Sequence, residues 1–195
     1  KAHGNTPAGY SKDEYDYRRM LARDDVDAVL IATPVDWHAV MSLDAMNAGK
    51  DVGSEVPACR TLEECRDLVR TKEKTGMRYM LLENYVYTRA RMQIYNMARA
   101  GVFGDLYYAE CGYIHDCLAL LFDSKGALTW RGEVRARLFG NTYPTHSIGP
   151  ISKMMNLHRG DRMAKLVAMM SAPRSSHHYA VEQFGPGSEA AKVKF

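Results

Sequence analysis

Tyr113, His115 and Asp116 stand close enough along the chain to share work on a proton. In an extended strand, residues two apart point the same way. Tyr113 and His115 would then present a phenol and an imidazole on one face, with a carboxylate next to them, a set able to take up and hand on protons. A second group is Tyr143-Pro-Thr-His146. A helix opening at Pro144 would place free backbone N–H groups and His146 near its positive end, where an oxygen-rich ligand is favoured. Each candidate also has an ordinary structural use. Glu55 and Glu83 could be solvated carboxylates at strand ends, Trp37 and His38 a packing pair at a helix start, Arg131 a surface loop residue, and Tyr113 and His115 core aromatics. His177 and His178 fall in an expected loop, and no metal role is assigned. The cysteines at 59, 65, 111 and 117 form two pairs, each six apart. That spacing lies outside the zinc-knuckle pattern, and they are expected to be buried thiols.

The elements that must position these residues alternate in the first half. Ser11 with Glu14 reads as a capping box opening a helix to about Arg23. Asp27 to Thr33 is a nearly continuous apolar run, as in a strand buried on both faces of a parallel sheet. From Trp37 a helix carries Met41, Ala45 and Ala48 and closes at Gly49. Asp51 to Ser54 is a short strand. A second capping box, Thr61 with Glu64, opens a helix with a stripe of Leu62, Cys65, Leu68 and Val69 that stops at Gly76. Arg78 to Leu82 is the next strand and delivers Glu83 and Asn84 to its end. This order predicts parallel crossover units, with Thr33 to His38, Glu55-Val56 and Glu83-Asn84 bordering one crevice beyond the strands' carboxyl ends. No G-x-G-x-x-G phosphate loop occurs in the sequence. Beyond residue 86, Thr88 should cap a helix that Gly101 stops. Asp105–His115 and Lys165–Ser171 read as strands, residues 117–142 as a long loop, and Pro144 as the start of a helix to about Leu157.

Composition excludes several classes. Hydrophobic residues make up 46% and charged residues 25% of the 195, the proportions of a globular protein. Acidic and basic residues are interspersed, 23 against 26, so there is no basic stripe for nucleic acid. No apolar run approaches the roughly 20 residues that span a bilayer, and Lys1 to Tyr17 lacks an apolar leader core. The compartment, cytoplasmic or exported, stays open.

Asp24-Asp-Val-Asp-Ala-Val-Leu-Ile-Ala-Thr-Pro34, His38, Ala48-Gly-Lys-Asp-Val52 and Glu55-Val-Pro57 together resemble the glucose-fructose oxidoreductase/inositol dehydrogenase (Gfo/Idh/MocA) family. Leu82-Glu-Asn84, Tyr113-Ile-His-Asp116, Trp130-Arg131, Asn141-Thr-Tyr-Pro-Thr-His146 and Asn156-Leu-His-Arg-Gly-Asp-Arg162 are similar to its glycoside hydrolase family 109 branch, the NAD-dependent α-N-acetylgalactosaminidases. The resemblance implies an α/β chain: a partial Rossmann doubly wound parallel sheet over 1–85, then part of an α+β substrate domain with an open mixed sheet over 86–195. Against complete members it lacks the N-terminal glycine loop and the C-terminal end. It further implies NAD as cofactor and hydrolysis through transient oxidation at C3 of the sugar, C1–C2 elimination, water addition and re-reduction. Val35, Asp36, Trp37, His38, Glu55, Val56, Asn84, Arg131 and Tyr143 would contact the cofactor. Tyr113, Tyr143, Pro144, Thr145 and His146 would bind the sugar. Tyr113, His115 and His146 would be catalytic, with Tyr113 the base at C2, its pKa lowered by His115.

Val56 replaces the lysine usual in this family's E-K-P motif, which counts against simple alcohol oxidation. An NAD(P)-dependent sugar dehydrogenase remains the alternative, and a noncatalytic sugar-binding protein a third reading. The implied partner is a glycan with terminal N-acetylgalactosamine; neither nucleic acid nor membrane is implied, and a homo-oligomer is left open. A sheet without its first strand would expose an edge and apolar side chains, so poor solubility or reliance on a partner chain is expected.

Overall fold

The computed structural model describes residues 6–138 and 140–195. The chain packs as two compact units that part between Leu82 and Glu83.

The first unit is α/β. Strands β1 (Ala28–Ile31), β2 (Asp51–Ser54) and β3 (Tyr79–Leu81) form a parallel sheet in the order β1-β2-β3. Val29 pairs with Val52 and Val52 with Tyr79, and one residue on Leu30, Gly53 and Met80 line up. Helices α1 (Tyr17–Leu21), α2 (His38–Asn47) and α3 (Leu62–Thr75) complete the unit. Their Leu21, Ala45, Met46 and Leu68 close over Val29, Ile31 and Val52 to form its core. Among the described residues the opposite sheet face is left open: Leu30 is 82% and Met80 52% exposed. The expectation of a strand buried on both faces therefore fails at β1, where burial alternates.

Local chemistry explains most helix ends. The Thr61 side chain accepts from the Glu64 N–H while Glu64 accepts from the Thr61 N–H, a complete capping box. Gly49 and Gly76 terminate α2 and α3 with φ of 74° and 72°, a left-handed backbone that glycine adopts without a Cβ penalty. The Ser11–Glu14 box does not form. Asp13 and Asp16 instead accept from the N–H groups of Tyr15 and Lys12, and α1 begins only at Tyr17. The buried stripe of α2 is His38, Ala39, Ser42, Ala45 and Met46, with Ala48 exposed. On α3 only Leu68 is buried, while Leu62 and Val69 are exposed. No cysteine is buried as expected: Cys65 and Cys111 are exposed, and Cys59 and Cys117 partly so.

The second unit is helical among the described residues: α4 (Arg89–Arg99), α5 (Trp130–Arg137), α6 (Thr145–Met154), α7 (Arg174–Phe184) and α8 (Glu189–Lys192). Its core gathers Leu121, Phe122, Ala180 and Ala190, with Phe184 and Phe195 against Phe122. Several expectations are corrected here. Residues 105–115 and 165–171 are not strands, and no open mixed sheet forms among the described residues. A strand needs a neighbour to take its N–H and C=O groups, and neither segment has one among the described residues. Residues 117–142 are not a featureless loop, because Thr129 caps α5 by accepting from the Gly132 N–H. His177 and His178 lie within α7 rather than in a loop. No helix of the described residues is long and apolar enough to cross a membrane.

Candidate functional site

Five rings meet in the second unit. The His146 ring lies 4.6 Å from that of Tyr113, 4.5 Å from Tyr85 and 5.7 Å from Tyr143, stacked on the last. Tyr113 donates its phenolic proton to, or accepts one from, His115 Nδ1 at 2.8 Å. The two side chains thus share a side as expected, although no strand enforces it. Asp116 does not join them; it accepts from the Leu118 N–H.

α6 delivers His146. Pro144 stands at its N-cap, and His146 and Gly149, one turn apart, face Glu83. Glu83 Oε1 accepts from the Tyr85 N–H at 3.0 Å and lies 2.8 Å from His146 Nδ1. Glu83 and His146 are both buried. A carboxylate can only accept, so His146 carries its proton on Nδ1, and in the neutral ring Nε2 is left as an acceptor. Glu83 Oε2 and Thr145 Oγ1 are buried without a hydrogen-bond partner. Buried polar atoms left unpaired are costly, so packing alone leaves this corner of the cluster polar and unsatisfied. A Cβ at Gly149 would come within 2.9 Å of Val86 Cγ2 and 3.2 Å of Glu83 Cγ, so the absence of a side chain there is what lets Glu83 approach α6.

Beside this cluster opens a cavity of about 510 Å³, lined in part by Tyr113, His115, Trp130, Arg131, Asn141 and Tyr143. Arg131 comes from α5, not from a loop. It donates to Tyr143 Oη at 3.3 Å and stacks over Trp130 at 4.2 Å. Burial, then the nearby Tyr85, Cys117, Tyr143 and Glu83, raise the Tyr113 phenol above its ordinary value. This corrects the expectation that His115 lowers it: the hydrogen bond is present, but desolvation and acidic neighbours dominate.

The expected cofactor residues divide between the units. In the first, Val35, Asp36 and Trp37 form a single 3-10 turn after β1, and Arg60 ion-pairs with Asp36. His38 is 1% exposed, and its Nδ1 and Nε2 each lie 2.8 Å from a backbone carbonyl, of Pro57 and Thr33. Its ring braces the segments after β1 and β2 against each other and keeps no atom free for a ligand. Glu55 is exposed at the carboxyl end of β2, while Val56 is buried. Turn and carboxylate both lie just beyond strand carboxyl ends, where sheets of this kind bind dinucleotides. Asn84, Arg131 and Tyr143 lie in the second unit, Asn84 exposed. The sequence does not single out Tyr85 or the burial of Glu83; Glu83 is marked only by its place just after β3 and within Leu82-Glu-Asn84, and Tyr85 by its neighbourhood to them.

Residues 7–83 match the oxidoreductase family, NAD-binding Rossmann fold, and residues 87–195 match the glycosyl hydrolase 109, C-terminal domain. A glycosyl hydrolase family 109 protein 1 of Shewanella sp. (strain ANA-3) is 41% identical over 97% of this chain. A family 109 protein of Shewanella baltica (strain OS155) is 40% identical over the same share. The chain spans 41% of the length of each. Among solved structures, an oxidoreductase domain protein from Kribbella flavida covers 72% of this chain and 38% of its own, with a TM-score of 0.61 and 25% identity. An NAD-binding Rossmann unit followed by the family's own C-terminal domain makes this chain a member of glycosyl hydrolase family 109.

Proposed function

We propose that the protein cleaves terminal α-N-acetylgalactosaminides by way of a transient C3 ketone. The observation that carries the reading is the Glu83–His146 pair set among Tyr85, Tyr113 and Tyr143. Ordinary glycosidases face two carboxyl groups across the scissile bond; this cluster offers imidazoles and phenols, and its buried carboxylate is engaged with His146. Bound NAD would supply the hydride acceptor, and later the donor, at C3. His146 Nε2 accepts the C3 hydroxyl proton, and Glu83 stabilises the imidazolium that results. A ketone at C3 acidifies the C2 proton. Because Tyr113 resists ionisation, it acts as a relay: its phenolic proton passes to His115 Nδ1 as its oxygen takes the proton from C2. The C1–O bond then breaks as the proton held on His115 passes to the departing oxygen, and water adds across the C1–C2 double bond, its oxygen to C1 and a proton to C2 through the same Tyr113–His115 relay. Arg131 and Tyr143 line the cavity and would meet the cofactor, Tyr143 also the sugar. Val56, packed inside, cannot serve as the lysine of an ordinary dehydrogenase would.

The test is hydrolysis by the full-length gene product of an α-N-acetylgalactosaminide in heavy water with NAD. Deuterium should become fixed at C2 of the released sugar without NADH build-up. Release without label would indicate conventional hydrolysis. NADH accumulation without release would make the protein a sugar dehydrogenase.

A further inference from the structure

We infer that Cys59 and Cys65 form a thiol–disulfide modification site, which closes to a disulfide by exchange with a small disulfide of the glutathione class. Their Sγ atoms lie 2.9 Å apart. A disulfide needs about 2.05 Å, so roughly 0.9 Å of closure separates the thiol pair from the bonded one. Cys59 stands in the connection between β2 and α3 and Cys65 in the first turn of α3, and side-chain hydrogen bonds hold the stretch between them. Between them, Glu64 Oε2 accepts from the N–H groups of Arg60 at 2.7 Å and Thr61 at 3.1 Å, and Thr61 Oγ1 accepts from the Glu64 N–H at 3.1 Å. Just upstream, His38 Nδ1 lies 2.8 Å from the Pro57 carbonyl. The capping box that starts α3 thus lies inside the ring that a Cys59–Cys65 bond would close.

Access and acidity give the two thiols different parts. Cys65 is exposed and Cys59 partly buried. Burial, then the Cys65 sulfur beside it, pushes the Cys59 thiol up to about 12, so Cys59 is a poor first nucleophile. Cys65, as thiolate, attacks one sulfur of the small disulfide, forms a mixed disulfide and expels one thiolate. Cys59 then gives up its proton to solvent and attacks Cys65 Sγ, expelling the second thiolate. The two protein thiols lose two electrons and two protons, and one small disulfide becomes two thiols. Cys111 and Cys117 make no thiol–thiol contact among the described residues.

Trypsin makes the bond easy to read, because it cuts after Arg60 and Arg66 and so releases Asp51–Arg60 and Thr61–Arg66 as separate peptides. The full chain is equilibrated in mixtures of oxidised and reduced glutathione, alkylated, digested and analysed by mass spectrometry. The two peptides should appear joined, in about tenfold excess over any other cysteine pairing, as expected when the second step is intramolecular. The link should revert with reduced glutathione and show no dependence on protein concentration. In urea the Cys59–Cys65 link should fall to the level of Cys111–Cys117, which closes a loop of the same length. Cys59→Ser should leave glutathione stably attached to Cys65. Full alkylation of both thiols in the oxidised buffer, a lasting glutathione adduct on Cys65 of the unaltered chain, or equal pairing with Cys111 or Cys117 would each overturn the assignment. The readout is sulfur chemistry alone, so it stands apart from the glycosidase reading.

Discussion

Tyr113 is the residue on which the proposed chemistry turns, and its raised pKa decides how it can act. A free phenolate would be scarce near neutrality, since even an unperturbed tyrosine titrates near about 10. Only a phenol that can pass its own proton on as it receives another remains useful, and His115 Nδ1 at 2.8 Å provides that exit. Tyr113→Phe in the full-length enzyme should therefore cut turnover by about 100-fold or more while NAD affinity stays unchanged. The measurement is steady-state kinetics beside a cofactor titration, and unchanged turnover would remove Tyr113 from the mechanism. The pairing of Tyr113 with His115 was legible because the two are neighbours in sequence. Glu83 with His146 was not: they are 63 positions apart, and a lone glutamate after a strand reads equally well as a solvated carboxylate. What brings them together is packing of α6 against the turn after β3, which no spacing rule records.

At the level of elements, the sequence was most readable where a single local rule governs. Thr61 with Glu64 and the glycines at 49 and 76 did what their chemistry predicts. Ser11 with Glu14 shows the limit, since Asp13 and Asp16 accept from the neighbouring N–H groups of Tyr15 and Lys12 and hold the segment in turns that the box does not join. Helix α5 is not legible in the sequence because eight residues, three of them arginine and one glycine, are too few to show a helical period. Its position depends on Gly132, where an added Cβ would overlap the Leu121 carbonyl oxygen and approach Leu128 Cδ2 to 2.7 Å. Backbone cannot yield as a side-chain tip can. Gly132→Ala should accordingly cost about 2–3 kcal/mol of stability, seen as a lowered denaturant midpoint, and displace Arg131. Gly149→Ala meets only side-chain atoms of Val86 and Glu83, so it should lower turnover more than stability; an equal loss in both variants would contradict this distinction.

For the molecule as a whole, each unit has its own core, but apolar surface is left over. Leu30 and Met80 crown the open sheet face of the first unit at 82% and 52% exposure. In the second, Ile114, Leu166, Val167 and Met169 are 83–100% exposed on segments that pair with nothing among the described residues. Their sequence pattern suits strands, and this is why they read as strands; register and partner are long-range facts that alternation cannot supply. Contiguous apolar patches and unpaired backbone both favour association. The 195-residue chain on its own should therefore bind a hydrophobic dye in its native state and self-associate as its concentration rises. Replacing Leu166 and Met169 with Lys should weaken both effects without touching either core, since neither residue belongs to one. Dye fluorescence and sedimentation at several concentrations make the check. A monomer with a sharp, concentration-independent melting transition and no dye binding would mean that these surfaces are covered within the chain itself, contrary to the packing described.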